Sequence, residues 1–232
     1  MSAGTGRVAL VTGGARRIGA AISRALARDR FTVALTYRAS RAEARSLARE
    51  IGGRAFPLDL LRPQRFFRLV GAIEREFGRL DVLVHNAAVF PRTPAGNVSE
   101  REWDGVFAVN LRGPFLLTQA FLPLLRAKPG GAVIFLGDAG ARHLWPGYLP
   151  YCLSKLALAH QAAAWKKILA PRVRVGMVTP GFALPPPGFP EAEWRRLRSR
   201  GGVRRGPDHP DKVAAAVLRF LRRGGYNPPR SR

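Results

Sequence analysis

Val8-Ala9-Leu10-Val11-Thr12-Gly13-Gly14-Ala15-Arg16-Arg17-Ile18-Gly19 opens on a short apolar run that meets a glycine-rich turn. Beyond the turn, Ile18, Ile22, Ala25 and Leu26 recur at helical spacing. The reading is a strand, a tight turn and a helix. Backbone N–H groups in such a turn, backed by the positive end of the helix, can hold a pyrophosphate. Glycine alone says little, because any tight strand-to-helix connection favours it. The strand before and the helix after give the turn its weight.

The same alternation runs through the chain. Strands are expected over 32–36, 54–57, 80–84, 132–136 and 173–178, and helices over 40–51, 64–77, 103–125 and 151–169. Pro114 falls inside the third of these helices, where a bend or local irregularity is expected. Strands alternating with helices predict an α/β fold: a single Rossmann-type, doubly wound parallel sheet with helices on both faces. After Pro180, the run Pro185, Pro186, Pro187 and Gly188 can continue neither a helix nor a central strand and reads as a loop over a site. Helices over 191–200 and 210–222 follow, then an unstructured tail over 224–232. With no internal repeat or linker, one domain over 1–223 is expected.

At 232 residues and 47% hydrophobic composition, the chain is long enough to bury a sizeable core. Cys152 is its only cysteine, which excludes an intramolecular disulfide and argues against a thiolate metal cluster or a secreted scaffold. No metal site is expected, and a reducing cytoplasm fits best. No charged leader, long apolar segment or small-residue cleavage site marks the first residues, so no membrane association is expected. Net charge is +24, from 39 Lys and Arg against 15 Asp and Glu. That balance could serve nucleic acid or an anionic ligand. The arginines are scattered between apolar residues along most helices, however, as solvated helix faces would be, which argues against nucleic acid.

The second strand ends near Tyr37, where a dinucleotide fold that takes NAD carries an acid for the free ribose hydroxyl. Here Arg38 and Ser40 follow, with Arg16 and Arg17 available from the first turn. Cationic and hydroxyl donors suit the 2′-phosphate of NADP. The plainer alternative is that Arg38 and Ser40 only start a helix, Ser40 as its N-cap. Asp59, with Leu60, follows the third strand, and Asn86, with Ala87, follows the fourth. Each could be a turn residue alone, but both stand at strand carboxyl ends, where such sheets bind ligands.

Tyr151 and Lys155 lie one helical turn apart. A neighbouring ammonium favours a phenol's charged form, so Lys155 is expected to lower the pKa of Tyr151 and make it a better acid, while also donating to a ribose hydroxyl. Upstream, where a hydroxyl would be expected beside such a pair, the chain has Asp138. An ionised carboxylate accepts hydrogen bonds but cannot donate one to a substrate oxygen gaining negative charge. A nitrogen-rich heterocycle suits it better than a simple ketone.

On the turn from Thr12 to Gly19, Asp59, Asn86-Ala87-Ala88, Asn110, the Tyr151 to Lys155 pair and Pro180-Gly181, the chain resembles the short-chain dehydrogenases/reductases over about residues 7 to 223. The resemblance implies an NADPH-dependent oxidoreductase and a homo-oligomer, tetramer or dimer. In it Asn110 helps hold a proton-relay water, and Pro180 and Gly181 border the nicotinamide. Within the family the chain is most similar to the pteridine reductases, by Arg17 in place of glycine, Asp138 in place of serine, Phe90 and Tyr148. That similarity implies a small-molecule substrate, a flat pterin or dihydrofolate-like ring. Phe90 and the nicotinamide would sandwich it, while Arg17, Asp138 and Tyr148 bind its polar edge and Tyr151 donates the proton. A general carbonyl reductase is the alternative, and a non-catalytic NADP- or nucleic-acid-binding protein a more distant one. His85 departs from the family's asparagine and reads as structural. Gly224-Gly225-Tyr226-Asn227-Pro228-Pro229 stand where a last strand is implied. Two prolines argue against that seventh strand, and with it against the subunit contact the family often builds there.

Overall fold

The computed structural model describes residues 6–94, 96–145, 147–185, 189–199 and 208–223. The elements are β1 (Val8–Val11), α1 (Arg17–Arg28), β2 (Thr32–Tyr37), α2 (Arg41–Glu50), β3 (Arg54–Pro57), α3 (Phe66–Phe77), β4 (Val82–His85), α4 (Glu100–Phe107), α5 (Gly113–Arg126), β5 (Gly131–Leu136), α6 (Leu149–Leu169), β6 (Val173–Val178), α7 (Glu191–Ser199) and α8 (Pro210–Arg222). All strands pair in parallel, in the order β3-β2-β1-β4-β5-β6. The order reverses between β1 and β4, so the carboxyl ends of these two strands flank a crevice, the place where such sheets take ligands. The tail, and any seventh strand built from it, lie outside the described residues, as do Pro186, Pro187 and Gly188.

Period-two alternation along the strands builds the two sides of the core. Val8 and Leu10 of β1 face α3, α5 and α6, packing with Ile73, Phe121 and Leu158; Ala9 and Val11 face α1 and α8, packing with Ile22, Leu26 and Val217. Strands β1, β4 and β5 are buried along their whole lengths, as a sheet covered on both faces requires.

The helix expected over 103–125 is interrupted at Ala108–Arg112, which forms one π-turn between α4 and α5. Pro114 has no N–H and its ring crowds the carbonyl four residues back, so the local bonding slips and Gly113 N–H donates to Ala108 O instead. No helix among the described residues is long and apolar enough to cross a membrane.

Candidate active site

The first turn is tied to the switch point by two side chains. Thr12 Oγ1 donates to Val84 O at 3.2 Å and accepts from the N–H groups of Asn86 and Ala87 at 3.0 and 3.1 Å. Asn86 Nδ2 returns the contact, donating to Thr12 O at 2.9 Å and Gly13 O at 3.1 Å. On the other side Gly13 N–H donates to Thr36 Oγ1 at 3.2 Å. The turn folds so tightly that a Cβ at Gly19 would lie 2.2 Å from Gly13 O. Arg17 takes a φ of +55°, the region that glycine favours. Its guanidinium donates to the Pro185 carbonyl.

A cavity of about 570 Å³ opens along this turn. The turn contributes Gly13, Arg16, Arg17, Ile18 and Gly19; the end of β2 contributes Tyr37, Arg38 and Ser40. Asp59 and Leu60 follow from β3, and Asn86 and Ala87 from β4. The expected cofactor residues therefore converge on one space, except Lys155, Pro180 and Gly181, which line the cavity adjoining it. Ser40 stands at the N-cap of α2, yet its side chain makes no capping hydrogen bond. Asp59 does serve as a turn residue, accepting from Leu61 N–H at 3.0 Å, while also forming cavity wall. The first turn of α1 holds no acid and Arg16 makes no side-chain cap, so the helix's leading N–H groups have no side-chain cap. Glycines without room for a Cβ, uncapped amides and arginines are a donor set that fits the phosphates of a dinucleotide.

The adjoining cavity, about 210 Å³, holds Tyr151, Asp138 and Lys155. Asp138 leaves the end of β5 as N-cap of a 3-10 turn, Ala139–His143, its Oδ1 accepting from Gly140 N–H at 2.6 Å. Its Oδ2 accepts from the Tyr151 hydroxyl at 2.5 Å. Lys155 Nζ donates to Leu136 O at 2.9 Å and lies 5.8 Å from the Tyr151 ring centroid.

The expected effect of Lys155 on Tyr151 is overturned. Burial, then the charge and hydrogen bond of Asp138, push the Tyr151 phenol well above its ordinary range, because a phenolate there would be desolvated and would face a carboxylate. Lys155 is itself pushed down to about 8 by burial, partly opposed by Asp138. Tyr151 is thus held protonated, its O–H directed at Asp138.

Asn110, expected as holder of a relay water, is buried in the π-turn and has its side chain committed to protein. Its Oδ1 accepts from Val89 N–H at 2.9 Å, and its Nδ2 donates to Val89 O at 3.0 Å and Ser154 Oγ at 3.1 Å. Ser154 donates in turn to Tyr151 O at 2.7 Å. This network seats the backbone beside Phe90 relative to Tyr151. Phe90 lines the cavity and meets the Tyr151 ring edge-on, centroids 4.1 Å apart. Tyr148, expected at the substrate's edge, instead stacks behind Phe90 at 4.4 Å, is buried, and does not line the cavity. Phe189 stacks on it in turn, at 6.1 Å.

Trp145, Leu184 and Trp194 also line the cavity, as do Phe182 and Phe189, which sequence reasoning missed. Phe182 packs on Trp145 at 5.5 Å and on Trp194 at 5.0 Å, and Phe189 meets Trp194 at 5.9 Å. The signal available was the density of rings after the sixth strand. His85 is structural, as read: fully buried, stacked on Phe135 at 4.8 Å, bonded to Thr118 Oγ1 at 2.8 Å and pushed down to about 3 by burial.

The family model described as short chain dehydrogenase matches residues 7–189. D-threitol dehydrogenase of Mycolicibacterium smegmatis is 33% identical over 92% of this chain and 85% of its own length. The 3-oxoacyl-[acyl-carrier-protein] reductase FabG of Thermotoga maritima is 30% identical over 92% of this chain and 89% of its own. Among solved structures, FolM alternative dihydrofolate reductase 1 from Brucella canis, complexed with NADP, superposes with a TM-score of 0.85 at 31% identity, covering 96% of this chain and 90% of that one.

Proposed function

The chain belongs to the short-chain dehydrogenase/reductase family of nicotinamide-dependent oxidoreductases, and from that premise we propose that it reduces a pterin or dihydrofolate-like ring with NADPH. The observation that carries this reading is the Asp138 carboxylate 2.5 Å from the Tyr151 hydroxyl, in a cavity walled by aromatic rings. The likeness to FolM, a dihydrofolate reductase by name and complexed with NADP, supports both halves of the proposal.

Arg16, Arg38 and Ser40 would hold the 2′-phosphate; the uncapped start of α1 would hold the pyrophosphate. Lys155 would donate to the ribose, with Pro180 and Gly181 bordering the nicotinamide. When bound, the reduced nicotinamide supplies the hydride, which goes to a ring carbon. Tyr151, kept protonated by its surroundings, would turn its O–H from Asp138 to the ring nitrogen and give up that proton, with the Lys155 ammonium nearby to offset the phenolate left behind. Asp138 holds the hydroxyl at the site until then, and its remaining lone pairs accept N–H groups of the heterocycle. Phe90 offers a face for stacking, and Arg17 a donor at the polar edge.

The test is steady-state oxidation of NADPH with dihydrofolate, dihydrobiopterin and dihydromonapterin. Turnover of at least one is expected; none, from a preparation that binds NADPH, would overturn the reading. Likeness to FabG favours a second reading, a ketone or 3-oxoacyl reductase, and faster turnover of ethyl acetoacetate than of any pterin would select it.

A further inference from the structure

Asp138 and Tyr151 belong to different elements, and an aspartate rotates freely about its Cβ unless its second oxygen is held. Here Oδ1 is held by the amide of Gly140 at 2.6 Å. Gly140 is held in its turn by Trp145, whose indole Nε1–H donates to the Gly140 carbonyl. The indole covers this residue so closely that a Cβ at 140 would lie 2.7 Å from Cζ2 and 2.9 Å from Nε1. Glycine is the residue that leaves room. Trp145 is kept in place by Phe182, which follows Pro180-Gly181 in the cavity wall.

We infer that Trp145 is a positioning residue for proton delivery: through Gly140 it fixes the Asp138 carboxylate against the Tyr151 hydroxyl. This rests on the reading of Asp138 and Tyr151 as the proton-donating pair. A wall alone would need only a ring, and phenylalanine would serve. Positioning needs the indole N–H. The two roles therefore separate in Trp145→Phe, which keeps an aromatic surface and removes the donor.

The experiment is a double-mutant cycle on the full chain, with saturating NADPH and dihydrofolate, and with ethyl acetoacetate in parallel. Trp145→Phe is expected to lower kcat about tenfold, as a loosened reacting group does, with KM and NADPH affinity within about twofold of wild type. In an Asp138→Asn background the same change should cost nothing further, because no carboxylate remains to be aimed. Gly140→Ala, which displaces the indole without removing it, should reproduce the kcat loss and the same coupling. Equal losses of kcat from Trp145→Phe in both backgrounds, or a loss confined to KM, would overturn the inference. Asp138→Asn with unchanged kcat would instead overturn the reading beneath it. If only the ketone is turned over, the pterin assignment fails, and the inference that rests on it fails with it. No turnover of either substrate removes both.

Discussion

Asp138→Ser puts the functional reading at greatest risk. The wild-type carboxylate receives the Tyr151 hydroxyl at 2.5 Å and the Gly140 amide at 2.6 Å. Any ring N–H bound by its remaining lone pairs would make a charge-assisted hydrogen bond, worth about 1.5–3 kcal/mol. A serine hydroxyl is shorter and uncharged, so loss of one such bond should lower kcat/KM for dihydrofolate by roughly 10- to 150-fold. A ketone should respond differently. Removing Asp138 takes away two of the causes that raise the Tyr151 pKa and leaves burial and Cys152, so the phenol becomes the stronger acid. Serine can also donate to an oxygen gaining negative charge, which aspartate cannot. Ethyl acetoacetate turnover should hold or rise. Steady-state NADPH oxidation measures both, and a tyrosinate absorbance titration against Tyr151→Phe should find Tyr151 ionising at lower pH in the variant. Dihydrofolate turnover within twofold of wild type would refute the reasoning, as would a parallel fall for both substrates with NADPH affinity retained.

His85 is neutral when folded, with its pKa lowered to about 3 against an ordinary 6.5. The unfolded chain therefore binds a proton between these values that the folded chain refuses, and stability falls as pH drops through that window by up to about 1.4 kcal/mol per pH unit. His85→Asn should flatten this part of the stability profile in denaturant titrations from pH 7 to pH 4; an unchanged slope would show that another group carries it. Gly19→Ala would place a Cβ 2.2 Å from Gly13 O and 2.6 Å from Asn86 Nδ2. The turn must shift at a cost of about 1–3 kcal/mol, so calorimetry should find NADPH binding weakened roughly 5- to 150-fold, and wild-type affinity would argue that this turn does not hold the phosphates.

Most of the fold could be read along the chain because its signals are local. The strands at Val8–Val11, Arg54–Pro57 and Val173–Val178 fall where apolar runs place them, and Pro114 announced an irregularity that emerged as the π-turn. The cavity along the first turn was legible for a related reason. A parallel sheet brings every strand's carboxyl end to one edge, so Tyr37, Asp59 and Asn86 meet once their strands are known. Thr36 was not singled out, since a threonine at a strand end carries no mark until the strand beside it is known.

The chemical character of the site was written in residue types: a Tyr and Lys one helical turn apart, an acid where a hydroxyl would serve a ketone, an arginine in place of glycine. Their electrostatic state was not. The sign of the Tyr151 shift depends on how much water and how close a carboxylate surround the phenol, and burial with Asp138 sets it upward. Likewise, the withdrawal of Tyr148 behind Phe90 and the gathering of Phe182, Phe189 and Trp194 depend on where a loop after β6 returns. Periodicity and side-chain type act over a few residues and survive in a linear string; desolvation and ring packing arise between distant segments, and exist only after the chain has closed on itself.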